Sequence, residues 1–279
     1  MTAHGDSPDE LRRLAVDIAR EAGDHARRGR VELGAGSRVA HDTKSSDVDP
    51  VTQFDREAEA IVVDRITAAR PDDAIVGEEG TDRAGTTGLE WHVDPIDGTV
   101  NYVYDLPMWC TSIGVVRDGQ PVAGAVYAPM LGEITSASLG GGTVLSSIQP
   151  DGSMTDQPVT VSDATVLATS LVTTGFSYFV EEHREHQAAR IAALLPHVRD
   201  IRRMGSAALD LAFVATGRVE GYFEEFLNSW DVAAGVILVT EAGGLVTAFD
   251  GSPIDARQPA GVLAAAPQLH AALDARIVR

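Results

Sequence analysis

The sequence contains a single cysteine, Cys110, so no intrachain disulfide can form and a reducing cytoplasm is the expected compartment. Cys110 sits in a strand-like run between Trp109 and Thr111, and reads as a buried structural thiol, not a nucleophile. Positive charge is scarce. Lysine and arginine total 22 against 41 aspartates and glutamates, for a formal net charge of −19. Surfaces that bind nucleic acid or anionic membrane need clustered basic residues, so neither partner is expected. Only one of the basic residues is a lysine, Lys44. No stretch approaches the ~18 consecutive apolar residues of a membrane-spanning helix. Residues 1–10 lack the apolar segment of a signal peptide.

What remains is an ordinary globular composition, 44% apolar and 23% charged over 279 residues. That length accommodates one or two domains at about 150 residues each, with a core that needs no staples. Ser7, Pro8 and Glu10 form a helix start, and Leu11, Leu14, Ala15, Ile18, Ala19 and Ala22 continue it at helical spacing to about Arg30. Residues 32–50 read as a loop. A second helix is expected from about Thr52 to Arg70. Short apolar strands follow at 74–76, 91–93, 110–116, 121–127 and 133–137, with Asp118-Gly119 turning a hairpin. Residues 138–163 show little periodicity and mark the expected boundary between an α+β domain over 1–150 and an α/β domain over 151–279. In the second part strands at 165–172, 200–203, 220–224, 245–247 and 261–265 are interleaved with helices at 181–195, 206–216, 230–242 and a last one to the C-terminus. Together these predict a layered α/β and α+β sandwich. His183 and His186 fall in an acidic, solvated helix face.

The chemistry concentrates in Trp91-His92-Val93-Asp94-Pro95-Ile96-Asp97-Gly98-Thr99-Val100-Asn101-Tyr102. An apolar strand runs into two carboxylates three residues apart. Pro95 fixes φ, and Gly98 permits close approach to a ligand. Asp94, Asp97 and the Ile96 carbonyl can then converge, and oxygen donors without His or Cys suit a hard cation such as Mg²⁺. Asp-Pro or Asp-Gly alone is an ordinary turn signal. Glu78 and Glu79 follow a short strand, and Asp231 lies near a helix start, where it could equally complement the helix dipole.

This pattern resembles the inositol monophosphatase family of Mg²⁺-dependent, lithium-sensitive phosphatases, in its bacterial branch. The matching segments are Gly77-Glu78-Glu79, the string Trp91 to Tyr102, Gly205-Ser206-Ala207-Ala208, Trp230-Asp231 with Ala233-Ala234-Gly235, and Lys44-Ser45-Ser46 with Asp55. The resemblance implies alternating α-β-α-β-α layers. It implies two or three Mg²⁺ ions held by Glu78, Asp94, the Ile96 carbonyl, Asp97 and Asp231, and a metal-activated water attacking phosphorus in line. Thr99 and Asp55 would activate that water, Glu79 would orient ligands or water, and Lys44 would border the site. Phosphate would meet the backbone at Gly98 and Thr99. The substrate hydroxyls would meet Asp97, Gly205, Ser206, Ala207, Glu224 and Asp231.

The implied reaction is hydrolysis of inositol 1-phosphate or a similar small polyol phosphate monoester by a cytoplasmic homodimer. Histidinol phosphate, fructose bisphosphate and phosphoadenosine phosphate are rival substrates. A regulatory interaction protein on the same fold is the alternative of a different class.

Overall fold

A computed structural model describes residues 7–43, 50–177, 181–259 and 261–277. The chain opens with α1 (Pro8–Glu32), which Ser7 caps by accepting from the Glu10 N–H. Two short strands, β1 (His41–Thr43) and β2 (Pro50–Thr52), pair as an antiparallel ladder within the stretch expected to be loop. Next comes α2 (Gln53–Ala69).

Seven strands then form one sheet in sequence order: β3 (Ala74–Gly77), β4 (Leu89–Asp97), β5 (Cys110–Arg117), β6 (Gln120–Ala128), β7 (Glu133–Ser138), β8 (Gly142–Ile148) and β9 (Met154–Val159). Only β3 and β4 run parallel. A short helix, α3 (Thr99–Val103), interrupts the run after β4. The β5–β6 hairpin turns through Asp118 and Gly119, both at positive φ, as the Asp-Gly pair predicts.

The second sheet contains β10 (Leu171–Thr174), β11 (Asp200–Arg202), β12 (Gly221–Glu225), β13 (Leu245–Thr247) and β14 (Gly261–Ala265). Its spatial order is β11-β10-β12-β14-β13, parallel through the first three and antiparallel thereafter. Helices α4 (Glu181–Leu194), α5 (Ala207–Ala215), α6 (Ser229–Glu241) and α7 (Pro267–Asp274) complete the fold.

Apolar faces dictate the layering. Leu11, Ala15 and Ile18 of α1, with Ala58, Val62 and Ile66 of α2, bury against Trp91, Val93, Ile113 and Ala125 on one face of the large sheet. The apolar helices α5 and α6 fill the layer between the sheets. Leu194 and Leu273 bury with Val172, Phe223 and Leu263 on the outer face of the small sheet. The result is five layers, α-β-α-β-α. Among the described residues no helix is long and apolar enough to cross a membrane.

Two further expectations differ from the structure. The weakly periodic stretch 138–163 carries β8 and β9. Hydroxyls hide the pattern of β8: buried Thr143 and Ser146 donate to the Leu238 carbonyl and to Asp156, so polar residues fill buried positions, while β9 is exposed almost throughout. The strand expected at 165–172 is a 3₁₀ turn at Leu167–Thr169 followed by β10.

Helix α6 lies unusually close to the large sheet because glycines face it. A Cβ on Gly114 of β5 would stand 2.5 Å from the Ala233 Cβ and 2.6 Å from the Ala234 nitrogen. On the helix's other side, a Cβ on Gly235 would stand 2.3 Å from Leu211 of α5. The small residues of Ala233-Ala234-Gly235 are thus a packing requirement. Gly114→Ala must push α6 off the sheet and is expected to cost about 1–3 kcal/mol in urea unfolding. Asp73, at the entry to β3, accepts from Arg70 at 2.8 Å, Thr87 at 2.6 Å and the Trp91 indole at 2.9 Å. Burial pulls its carboxyl upward, but these donors outweigh burial and hold it below the usual carboxylate range. Its stabilisation is therefore complete above the unfolded carboxyl's pKa and is lost as pH falls through the lower folded value. Asp73→Ala should cost about 2–4 kcal/mol at neutral pH, and the gap to wild type should shrink in acid unfolding curves.

Candidate active site

The end of β4 is irregular. Asp94 pairs with Ser112 and Asp97 with Cys110, so three steps along β4 match two along β5. Side chains alternate along a strand, and residues three apart would point to opposite faces. The extra residue of this bulge brings Asp94 and Asp97 to the same side. Pro95, which has no N–H to lose from the ladder, and Ile96 occupy it. Thr111 Oγ1 pins it by donating to the Pro95 carbonyl at 2.9 Å, and the Ile96 N–H donates to Asp94 Oδ1 at 3.0 Å. Gly98 then turns at φ 96°, where a Cβ would stand 3.0 Å from the Met108 carbonyl oxygen. Thr99 follows at the start of α3.

These residues line a cavity of about 160 Å³ together with Glu78, Gly205, Ser206, Ala207, Glu224 and Asp231. They arrive from four places in the chain, with Gly205, Ser206 and Ala207 sharing the turn into α5. Glu78 follows β3, whose loop is carried from beneath by Glu59 of α2. The buried Glu59 carboxylate accepts from the Glu79 N–H at 2.8 Å and the Thr81 N–H at 3.2 Å. Gly77 gives that carboxylate room, since a Cβ there would stand 2.8 Å from Oε2. Asp231 sits in the first turn of α6 and accepts from the Asn228 N–H at 2.6 Å. The same helix start is tied to the sheet, with Ser229 bonded to buried His92 at 2.8 Å and the Trp230 carbonyl accepting from Ser112. Glu224 is the last residue but one of β12 and accepts from the Tyr222 hydroxyl at 2.8 Å.

Of the remaining expected residues, Asp55 lies behind Thr99. Thr99 Oγ1 stands 3.3 Å from Asp55 Oδ1 and 3.1 Å from the Ile96 carbonyl oxygen, either of which can accept its proton. The Thr52 N–H and hydroxyl both donate to the other Asp55 oxygen. Glu79 is outside the cavity wall. Lys44 lies outside the described residues. Ser206 lines the cavity, but its hydroxyl donates to Asp97 Oδ2 at 2.8 Å and accepts from the Leu209 N–H. Its immediate partner is thus the carboxylate. Cys110 is buried beside the same pair, as expected of a structural thiol. His183 is not simply solvated: its ring stacks on Phe226.

Burial pushes the Asp94 carboxyl well above the ordinary range, and Glu78, Asp97 and Asp231 push further. Burial does the same to Asp231, with Asp97 and Glu78 adding. Burial raises Asp97 to about 6 against the pull of Ser206 and Ala208. Burial raises Glu224 to about 7 against Tyr222 and Arg203. Among the described residues no three His, Cys, Asp or Glu side chains stand in ligating geometry. The carboxylates share a cavity, and each turns one oxygen to the chain's own donors: Asp94 to Ile96, Asp97 to Ala208, Asp231 to Asn228. Crowded, desolvated, all-oxygen donors of this kind fit hard divalent cations.

Sequence reasoning overlooked Glu59, Asp210 and Phe226. Glu59 looks like any acid on a solvated helix. Asp210 is buried in α5, and burial, with Glu224 and Asp97 adding, pushes its carboxyl well up. Phe226 lines the cavity, and no spacing signals it.

The model of the inositol monophosphatase family matches residues 7–279. An inositol-1-monophosphatase of Mycobacterium leprae is 40% identical over 256 residues, covering 88% of this chain and 86% of that protein. A Nus factor SuhB of Xylella fastidiosa is 38% identical over 239 residues, covering 86% and 82%. The solved structure of Mycobacterium tuberculosis SuhB superposes with a TM-score of 0.80 at 37% identity, covering 97% of this chain and 96% of that one. The chain belongs to the inositol monophosphatase family of phosphoric monoester hydrolases.

Proposed function

We propose that the protein hydrolyses a small polyol phosphate monoester, inositol 1-phosphate foremost, with Mg²⁺ as cofactor. The observation that carries this is the convergence of Glu78, Asp94, Asp97, Asp231 and the Ile96 carbonyl on one cavity, beside a Thr99–Asp55 contact. Mg²⁺ held by those five groups, as two or three ions, would supply positive charge against the phosphate oxygens and acidify water.

The chain's own groups do the rest. Thr99, donating its proton to Asp55, turns its lone pairs outward to accept from a water. Asp55 is held for this by two Thr52 donors on one oxygen, with the other oxygen toward Thr99. Backbone N–H groups at Gly98 and Thr99 meet the phosphate. Glu224 accepts hydroxyl hydrogen bonds from the leaving alcohol, and Gly205 and Ala207 shape the wall opposite. Ser206 fixes Asp97, and Glu79 orients ligands or water beside Glu78. The division of labour is by half: residues 1–150 supply most metal ligands, while residues 151–279 supply substrate contacts and Asp231. A homodimer in the reducing cytoplasm completes this reading, and the single buried Cys110 is in keeping with it. A second, interaction role draws support from the relative named Nus factor SuhB. With a formal charge of −19, its counterpart would be a protein and not a nucleic-acid backbone.

Phosphate release from inositol 1-phosphate should exceed that from histidinol phosphate, fructose bisphosphate and phosphoadenosine phosphate, should vanish with a chelator, and should fall with lithium. No turnover of any monophosphate by the Mg²⁺-supplemented protein would overturn the assignment. Asp97→Asn and Asp231→Asn should each lower phosphate release at least about a hundredfold. Both should keep the wild-type melting temperature or exceed it, because each removes a buried charge from a repelling set. Near-normal turnover of Asp97→Asn at saturating Mg²⁺ would remove Asp97 from the ligand set.

A further inference from the structure

Between the last residue of β12 and the first turn of α6, Phe226 adopts φ 63°. Among the described residues only Asp105, Asp118 and Phe226 are non-glycine residues at positive φ. Aspartate tolerates the left-handed region, but an aromatic there is strained. Glycine would make the same turn without that strain, so the turn alone does not explain a phenylalanine. The residue remains 44% exposed and forms part of the cavity wall, two residues beyond Glu224. It is also braced from α4. The His183 ring stacks on it at 3.8 Å between centroids and 5° between planes. Nδ1 of His183 has no hydrogen-bond partner among the described residues, so on that side stacking is what holds the ring.

Strain retained at a site wall is a mark of function. We infer that Phe226 is a specificity-determining platform for the C–H face of a cyclic polyol, with His183 as its brace. The inference rests on the hydrolase reading above and narrows its substrate class from polyol to ring. An aromatic face carries negative electrostatic potential, and C–H bonds polarised by neighbouring hydroxyls present positive charge to it. Glu224, next to it, takes the ring's hydroxyl edge, with one of its oxygens already occupied by Tyr222. A flexible acyclic polyol offers no such face, so it gains little from the platform.

The test compares kcat and KM for inositol 1-phosphate and glycerol 2-phosphate, with Mg²⁺, in wild type, Phe226→Gly and Phe226→Tyr. Phe226→Gly is expected to raise KM for inositol 1-phosphate about tenfold. KM for glycerol 2-phosphate should stay within about twofold, and kcat for both within about threefold. The melting temperature should hold or rise, because glycine relieves the left-handed strain. Phe226→Tyr should restore the inositol 1-phosphate KM. Equal KM shifts for both substrates, no shift for either, or no rescue by tyrosine would overturn the platform. If wild type turns over neither substrate, the inositol 1-phosphate reading fails on its own. Calorimetric titration of inositol 1-phosphate then decides: weaker binding to Phe226→Gly supports the platform. Equal affinity, or no binding to wild type, overturns it.

Discussion

Like charges buried together repel, and most of this molecule's architecture can be understood as what is needed to hold several of them in one cleft. Asp94, Asp97 and Asp231 each give one oxygen to a backbone N–H, at 3.0, 2.6 and 2.6 Å. Those bonds fix the carboxylates without neutralising them. Their carriers are in turn immobilised. Helix α6 is pressed onto the sheet where glycine leaves no side chain between them. The loop bearing Glu78 rests on the Glu59 carboxylate. The turn before α5 is tied to α3 by Asn101, which donates to the Met204 carbonyl at 2.7 Å. A softer scaffold would let the acids drift apart and relieve the repulsion that makes the cleft attractive to cations.

How the layers share this task explains where the chemistry lies. The large sheet delivers Glu78, Asp94 and Asp97 from strand ends. The helices between the sheets deliver Asp231 and the Gly205–Ala207 turn, and the small sheet delivers Glu224. A cleft built from three layers has walls of different character: three carboxylates and the Ile96 carbonyl from the large sheet, Asp231 and the Gly205–Ala207 turn from the middle layer, and Glu224 with the Phe226 ring from the small sheet and its following turn. That asymmetry suits a substrate with a charged end and a neutral end.

Much of this was legible in the sequence, for reasons that also mark the limits. The string from Asp94 to Thr99 could be read because two carboxylates, a proline and a glycine together follow an apolar strand, a combination that neither turn dipeptide alone explains. The helices α1, α2 and α6 could be read because their apolar spacing or caps are strong. The strands β8 and β9 could not: hydroxyls take buried positions of β8 that patterning assigns to apolar side chains, and β9 is exposed almost throughout and has no apolar face to show. Glu59 was illegible because its role is created by a loop 20 residues away folding over it. Ser206 lines the cavity, and only the fold shows its hydroxyl turned into Asp97. Phe226 differs again: its significance lies in a backbone angle, and a residue's name does not carry one.

The bulge in β4 has a consequence of another kind. Three steps on one strand close against two on its neighbour, and that mismatch, not any one side chain, sets Asp94 and Asp97 on a common side. The pocket is therefore specified partly by parity. Replacing Ile96 keeps the count and leaves a carbonyl in place, because the carbonyl belongs to the backbone. Removing one residue restores strict alternation and carries a carboxylate through the sheet to its opposite face. At this point the chain tolerates changes of letter better than changes of length.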